Sequence, residues 1–387
     1  MAVYRPRVLM VLDELCVGGT ETHVLSITRE LMKNDIHVVV CAAEGDMLND
    51  FLQVGCPVYL INFLNKNKAV EESTTDAGHM EDSMIEMIKE IIQKEHVNLI
   101  HAHQKPSGLF VCKVAKLLGI PFILTVHGLY YSESTLSSFT QYGATTIAVS
   151  PPVQKKLKSH NIESILIPNG IDTSIFHPNK DINSLRRSLG ISKKSPIVVY
   201  VGRLTSKKAA ICKKVIKACR ALRKKELKSL QLIIAGNGVN YNELENYVRQ
   251  TELKTKSHFI HIIGLQKDMS SIYSAADCII GTGRVALEAM ACERPVIAIG
   301  TKGFMGLVIP RHFEKAWQQY FGDHAADFPC LTHFIQQALI NVLSVSNSMS
   351  IFYGIKNREF IKEKFNIIQV AKQTIDVYTS VLERFQI

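Results

Sequence analysis

Asp277-Cys-Ile-Ile-Gly-Thr-Gly-Arg-Val-Ala-Leu-Glu-Ala-Met-Ala-Cys-Glu-Arg-Pro-Val-Ile-Ala-Ile-Gly300 is the stretch around which the rest of the chain is organised. Its apolar run 278–280 has the length and character of a buried parallel strand. Gly281, Thr282 and Gly283 then turn the chain straight into a helix, 284–292, and a second strand follows at 295–299. A strand that ends in glycines and opens a helix presents backbone N–H groups at the positive end of that helix, a ready site for phosphate. Glu288 stands one turn further in. A carboxylate has acceptor oxygens and no donor, which suits the adjacent hydroxyls of a ribose. The stretch therefore predicts a nucleotide pocket with Glu288 on the sugar of the nucleotide.

Working outward, the same strand–glycine–helix unit recurs on both sides. Upstream, a strand at 197–201 ends in Gly202-Arg203, a basic helix follows, and a strand at 230–235 ends in Gly236-Asn-Gly238. A helix at 241–250, a strand at 258–263 and a short helix near 269–275 complete that half. The first half starts with a strand at 7–12, a Gly18-Gly19 turn, and a helix opened by Thr20 and Glu21, with Val24, Leu25, Ile27 and Leu31 at helical spacing. Further strands are expected at 37–41, 97–101, 121–126, 145–149 and 165–168. Helices are expected at 83–95, at 107–118 and from Ser150-Pro151-Pro152, where proline suits a first helical turn. Residues 64–82 look like a polar loop and 169–194 like a linker. From 313 onward the chain reads as helices, the last of them, at 367–385, spaced to pack on a neighbour. Two consecutive halves of this kind in 387 residues predict two doubly wound α/β domains.

Composition narrows the class. With 47% hydrophobic and 21% charged residues the chain is an ordinary globular α/β protein, neither disordered nor collagen-like. The apolar run after Arg5 and Arg7 stops at Asp13, too short for a secretory signal, and no run is long enough to cross a bilayer, so a cytoplasmic protein is expected. Nine scattered cysteines without a Cys-x-x-Cys pair read as reduced and mostly buried. Much of the net charge of +10 lies between Lys207 and Lys228, where Glu226 is the single acid. That run is either a solvated helix face or a surface for anionic lipid headgroups. It lacks interleaved aromatics, and no nucleic-acid recognition module is visible.

Several motifs, in this order, resemble the retaining, nucleotide-sugar-dependent glycosyltransferases of family four, which have the GT-B fold. They are Gly18-Gly19-Thr-Glu21, His101-Ala-His103, Thr125-Val-His127-Gly128, Ala148-Val-Ser150, and Ile167-Pro-Asn169-Gly170-Ile-Asp172 with Phe176. In the second half they are Tyr200-Val-Gly202-Arg203-Leu with Lys208, Ile234-Ala-Gly236-Asn-Gly238, Ala276-Asp277, and Leu287-Glu288-Ala-Met-Ala with Pro295-Val-Ile-Ala. The resemblance implies two Rossmann-like domains facing across a cleft, an acceptor-side domain at 1–175 and a nucleotide-sugar domain at 190–360, with a C-terminal helix, 361–387, returning onto the first. It implies transfer of a sugar from a nucleoside diphosphate, UDP being favoured, to an acceptor hydroxyl with retention, and neither a metal nor a bound cofactor. A cell-envelope or surface glycan, or a lipid-linked acceptor at the inner face of the membrane, is the product class it suggests.

The resemblance also implies roles for particular residues. Arg203 and Lys208 match the pair that meets the departing diphosphate, where fixed cations stabilise charge that grows in the transition state. The plainer alternative for each is a surface ion pair, and Lys207 is an equally charged neighbour of Lys208. Glu288 matches the ribose-holding glutamate; a helix N-terminal acid favoured by the dipole, worth under ~1 kcal/mol, is its alternative. Gly18 and Gly19 can approach a phosphate closely, and Gly236, Gly238, Gly281 and Gly283 complete the expected donor site. His127 matches a residue that lines the cleft near the sugar, though a histidine at a strand end is also a common structural element. His101-x-His103 has metal-ligand spacing, but no third ligand is near.

Three departures stand out. Ile280 occupies the position of the family's first motif glutamate, which contacts the transferred sugar. The loop before Gly281 is shorter than usual, and Lys302-Gly303-Phe-Met-Gly306 replaces a Gly-Gly-x-Pro-Glu turn. Arg284 could add a third positive charge to the diphosphate or point to solvent. Ile280 leaves open a nucleotide-sugar-binding homologue with impaired catalysis. The sugar-nucleotide 2-epimerases, which share this fold and bind UDP, are a second alternative, but the acidic residues they use around the sugar are not supplied by these motifs.

Overall fold

The computed structural model describes residues 5–63, 74–178 and 182–385. Its apolar runs form two sheets, each the centre of its own unit: Met1–Gly170 with Ile367–Ile387, and Ile171–Asn366.

The first unit holds β1 (Arg7–Glu14), β2 (His37–Ala43), β3 (Val58–Leu60), β4 (Leu99–Ala102), β5 (Phe122–Val126), β6 (Thr145–Ala148) and β7 (Ile165–Leu166), in the order β3-β2-β1-β4-β5-β6-β7. Every pairing is parallel, with Leu9 of β1 opposite Val39 of β2 and Ile100 of β4. Parallel strands need helical crossovers, so both faces of the sheet are covered and the strands are apolar on both sides. The period-two alternation then sorts each strand into two cores. Leu9, Val11, Val39 and Ile100 join one, whereas Val8, Met10, Val38 and Leu99 join the other. The helix Ile367–Arg384 contributes Ile367, Val370, Ala371, Tyr378 and Val381 to the second of these cores. At Gly170 an added Cβ would lie 2.5 Å from Ile367 Cδ1 and 2.9 Å from its Cα, so glycine is needed where that helix starts.

The second unit holds β8 (Ile197–Val201), β9 (Gln231–Ala235), β10 (Ile260–Gly264), β11 (Cys278–Gly281), β12 (Val296–Gly300) and β13 (Gly303–Val308), in the order β10-β9-β8-β11-β12-β13. All pairings are parallel except that of β13 with β12. Ile280 lies opposite Tyr200 on β8 and Ile297 on β12, deep in the core of this unit.

Several expectations are corrected. The units part at Gly170/Ile171, so 171–178 is no linker. Ile171 N–H donates to Phe365 O at 2.7 Å, and Arg358 donates to the carbonyls of Thr173 and Phe176. The helix Ile182–Ser188 continues the same unit, fixed by Arg186, whose guanidinium binds Ser195 O at 2.8 Å. The helix expected from Ser83 begins at Thr74, so the polar loop extends at most to 73; its residues 64–73 lie outside the described residues. β3, the helix Glu133–Gln141 and β13 were not expected. Where the family has its Gly-Gly-x-Pro-Glu turn, this chain has β13 from Gly303, with Phe304 buried and stacked on Phe334. The C-terminal helix starts at Ile367, since residues up to Lys364 belong to a separate helix, Asn347–Lys364.

Candidate functional site

The five parallel strands of the second unit all end at one rim in glycine or next to it: Gly202, Gly236, Gly264, Gly281 and Gly300. An open α/β sheet binds its ligand at this carboxyl rim. Gly236 and, two residues on, Gly238 are fixed by the fold itself. Gly236 has φ +139, and a Cβ there would lie 2.1 Å from Gly202 O. Gly238 has φ +155, with Leu204 O 2.7 Å from its would-be Cβ. The loop after β9 is thereby pressed against the loop after β8. Leu204 N–H donates to Asn237 O at 2.8 Å, and Asn240 N–H donates to Leu204 O at 3.0 Å.

This clamp holds Arg203 and, in the first turn of the helix Ser206–Lys225, Lys208. Arg203 is exposed and Lys208 half-buried, its backbone carbonyl accepting from Tyr200 O–H at 2.9 Å. Among the described residues neither side chain makes an ion pair or a hydrogen bond, so the surface salt bridge that competed with the binding role is absent there. Two cations without carboxylate partners, one on the clamped loop and one in the helix it opens, can receive an anion at no cost of breaking an existing pair. Beside them, Asn237, Gly238, Val239, Tyr241, Asn242 and Gly264 line an open hollow of about 550 Å³. Another cavity, of about 300 Å³, lies at the amino ends of the strands around Pro196, Asp277 and Pro295, away from the rim, where Arg186 pairs with Asp277 at 3.5 Å.

Glu288 does not share the exposure of Arg203. It is 6% exposed on the helix Arg284–Ala291, and both of its oxygens are engaged. Oε1 accepts from Arg284 Nε at 2.7 Å and Oε2 from the Tyr273 hydroxyl at 2.9 Å. Burial pushes its carboxyl above the usual range, and Arg284 and Tyr273 work in the opposite direction. Arg284 is therefore turned neither to solvent nor outward at the rim. It is buried and lies along its own helix on the residue one turn away.

At the start of that helix, Gly283 has φ +55, a backbone left to glycine. A Cβ there would meet Tyr320 Cε1 at 3.2 Å and Asp323 Cβ at 3.4 Å. Asp323 Oδ1 accepts from Thr282 Oγ1 at 2.9 Å. At Gly281 a Cβ would meet Val285 Cγ1 at 2.4 Å, so this glycine serves the close fit of strand to helix.

In the first unit the helix begins at Gly19, with Gly18 extended before it. The rim beside this turn carries a network that sequence reading missed. Ser107 donates through N–H and hydroxyl to Asp13 Oδ1, Asp13 N–H donates to Gln104 Oε1, and Gln104 Nε2 donates to Glu21 Oε1. Glu21 is buried in this network, and burial raises the Asp13 carboxyl above its usual range.

His127, at the end of β5, belongs to a histidine cluster. His103 Nε2 faces Met10 Sδ at 3.4 Å, and His103 Nδ1 faces His127 Nε2 at 3.1 Å. A thioether has no proton to give, so Nε2 of His103 carries the hydrogen and its Nδ1 the lone pair; His127 is then the donor through Nε2. His101 uses both ring nitrogens, on the hydroxyls of Tyr378 and Thr125, each at 2.7 Å, which leaves none for a metal. Burial holds the His101 imidazolium down to about 3 and pushes His103 well below the ordinary value, so both are neutral at physiological pH. No group of three or more metal-ligating side chains occurs among the described residues.

The basic run is divided by its helix. Lys213 pairs with Glu243, Lys214 donates to Cys330 O, and Arg223 donates to Leu230 O and to Ser257; Lys207, Lys217, Arg220, Lys224 and Lys225 are exposed. No single helix among the described residues is long and apolar enough to cross a membrane.

Comparison with known proteins gives two family matches. Residues 181–320 match the model of glycosyl transferases group 1, and residues 17–175 that of glycosyltransferase family 4. The chain is 24% identical over 377 residues to the Escherichia coli UDP-Gal:alpha-D-GlcNAc-diphosphoundecaprenol alpha-1,3-galactosyltransferase, covering 90% of each chain. Among solved structures, a glycosyltransferase from Rickettsia africae superposes with a TM-score of 0.76 at 17% identity, over 98% of this chain and 99% of that one. The Anabaena protein HepE, in complex with UDP-glucose, superposes with a TM-score of 0.74 at 16% identity, over 97% of this chain and 99% of that one.

Proposed function

The chain belongs to the family-4 glycosyltransferases, enzymes of GT-B fold that transfer sugars in glycan biosynthesis, and from that premise we propose that its donor is a UDP-sugar and that transfer to an acceptor hydroxyl retains the anomeric configuration. The observation that carries the reading is the pair of cations held without partners after β8, Arg203 on the glycine-clamped loop and Lys208 in the first turn of the helix that follows it. As the glycosidic bond breaks, the second negative charge of the leaving diphosphate grows, and cations already in place need no reorganisation to meet it. With that charge met by protein, the reaction runs without a divalent ion.

The other roles follow from the donor's parts. The hollow at 237–242 and Gly264 seats the base, with the amides of Asn237 and Asn242 as its hydrogen-bonding groups. Gly236 and Gly238 act by holding the Arg203 loop, and Gly281 and Gly283 by shaping the turn beneath the sugar. Glu288 keeps acceptor capacity beyond the bonds from Arg284 and Tyr273, which is what two ribose hydroxyls require. Arg284 acts through Glu288, fixing its carboxylate. In the first unit His127 and the Gly18-Gly19 turn serve the acceptor. The UDP named in the Escherichia coli relative and in the Anabaena complex supports UDP as the nucleotide. The diphosphoundecaprenol acceptor in the former's name supports a lipid-linked acceptor in cell-envelope synthesis. The exposed lysines and arginines of the helix Ser206–Lys225 then hold the protein at the anionic inner face of the membrane.

A second reading, a nucleotide-sugar binder without turnover, draws on Ile280, which is wholly buried and offers no carboxylate to the sugar. Incubation with UDP-glucose, UDP-galactose and UDP-N-acetylglucosamine, with a membrane-lipid extract as acceptor, separates the two. Release of UDP that needs the extract, with an α-linked product by NMR, supports transfer. UDP binding without release from any donor supports the second reading. Interconversion of donors in the absence of extract would instead indicate the epimerase.

A further inference from the structure

We propose that Asp323 is the residue that recognises the sugar of the donor, its carboxylate accepting hydrogen bonds from the sugar's hydroxyls beside the Gly281-Thr-Gly283 turn. The proposal rests on the donor-binding reading above and assigns the sugar end of that same site.

The placement of Asp323 is specific. Its Cβ and Cγ lie 3.4 and 3.6 Å from where a side chain on Gly283 would begin, and Thr282 Oγ1 ties down Oδ1 at 2.9 Å. His324 Nε2 stands 3.7 Å from Oδ2, on a ring that burial holds toward its neutral form, and the Asp323 side chain is 35% exposed. Three successive left-handed residues bring it there: Tyr320, Phe321 and Gly322, with φ of 48°, 49° and 80°. Left-handed backbone is strained for a residue with a Cβ. It is sustained here because Phe321 is fully buried against Phe360 and Phe365. Gly322 O also fits against Gly300, where a Cβ would lie 2.7 Å away.

Charge decides what such a group can bind. A carboxylate beside the first turn of the helix repels a phosphate at that position, so the helix start is not where the diphosphate sits. The unpaired cations are one strand away: β11 pairs with β8, Ile280 opposite Tyr200, and the would-be Cβ of Gly281 lies 3.5 Å from Val201 O. Neighbouring strands lie about 4.8 Å apart, close to the step from the distal phosphorus of a sugar nucleotide to its sugar ring. With the diphosphate on Arg203 and Lys208, the ring reaches Thr282, Gly283 and Asp323. There it offers hydroxyl donors to a side chain that only accepts.

The test measures UDP, UDP-glucose, UDP-galactose and UDP-N-acetylglucosamine binding calorimetrically to the wild type, Asp323→Asn and Asp323→Ala, with melting curves confirming that each variant is folded. In the wild type one sugar nucleotide binds differently from the others. In both variants UDP affinity stays within about twofold, and that sugar nucleotide alone weakens by about tenfold or more, as loss of a hydrogen bond to a charged group requires. Parallel losses for UDP and all three sugar nucleotides in folded variants would overturn the assignment, as would unchanged preference among the sugars. Absence of any UDP binding by the wild type would instead overturn the donor-site reading on which it stands.

Discussion

Gly236→Ala probes the clamp on which the cationic site depends. The residue sits at φ +139, and its Cβ would come 2.1 Å from Gly202 O, whereas ordinary contact begins near 3.4 Å. The loops after β8 and β9 would have to part by about 1.3 Å, the difference of those two distances. Strain in a glycine-only backbone region costs about 1–3 kcal/mol, and forcing packed groups apart costs a similar amount, so a loss of about 3 kcal/mol is expected. For a unit of 196 residues (Ile171–Asn366), that lowers the unfolding midpoint by roughly 6–12 °C. Because Arg203 rides on the displaced loop, donor turnover should fall about 10²-fold, the effect of misplacing a binding group by an ångström. Calorimetric melting and donor turnover measure the two effects. Gly190→Ala is the comparator: φ is +65 there, and nothing lies within 4 Å of its would-be Cβ. It should lose only about 1 kcal/mol and keep full turnover. A Gly236→Ala protein that melts and turns over like the comparator would refute the clamp.

Arg203→Ala should melt like the wild type, since an exposed side chain without partners contributes within about ±0.5 kcal/mol; its turnover should fall by about 10²–10³, read in the same donor assay. Tyr378→Phe removes the hydroxyl from buried His101 and should cost about 1–3 kcal/mol, measured by urea unfolding. Acid should weaken the first unit for a related reason. His101 and His103 have folded values below the ordinary 6.5, so the unfolded chain binds more protons as pH falls below that value. Stability is then present above about 6.5 and is lost as pH falls toward about 3, by up to ~1.4 kcal/mol per pH unit for each histidine. Urea midpoints taken between pH 7 and pH 5 should decline, and a flat profile would contradict the buried neutral cluster.

The fold was legible where the chain repeats one unit, an apolar strand ending in glycine and opening a helix, as at 278–291 and 197–208. It was illegible where an element owes its existence to distant partners. β3 is three residues long with no fully buried side chain, and β13 is strand because Phe304 meets Phe334. The helix Glu133–Gln141 did carry a local signal, Ser132 capping Thr135 N–H, which a search for Ser-x-x-Thr would have found. The site divides in the same way. Arg203 and Lys208 could be read from Val-Gly-Arg and the helix after it. Tyr273 on Glu288, Asp323 on Thr282 and Tyr378 on His101 span 15, 41 and 277 residues, and no local pattern announces them. Glu288 shows the limit most clearly. Its position was legible, but its burial against Tyr273 was not, because that is set by how the preceding helix, Met269–Ala275, packs on the helix that carries Glu288.

The account stands on the two cations of the β8 loop meeting a diphosphate. Isothermal titration of UDP into the wild type and into an Arg203→Ala/Lys208→Ala variant, at low and at high salt, tests this directly. The account predicts saturable binding by the wild type that weakens with salt, and a loss of at least tenfold in the variant while its melting curve is unchanged. Equal UDP affinity in the two proteins would contradict it.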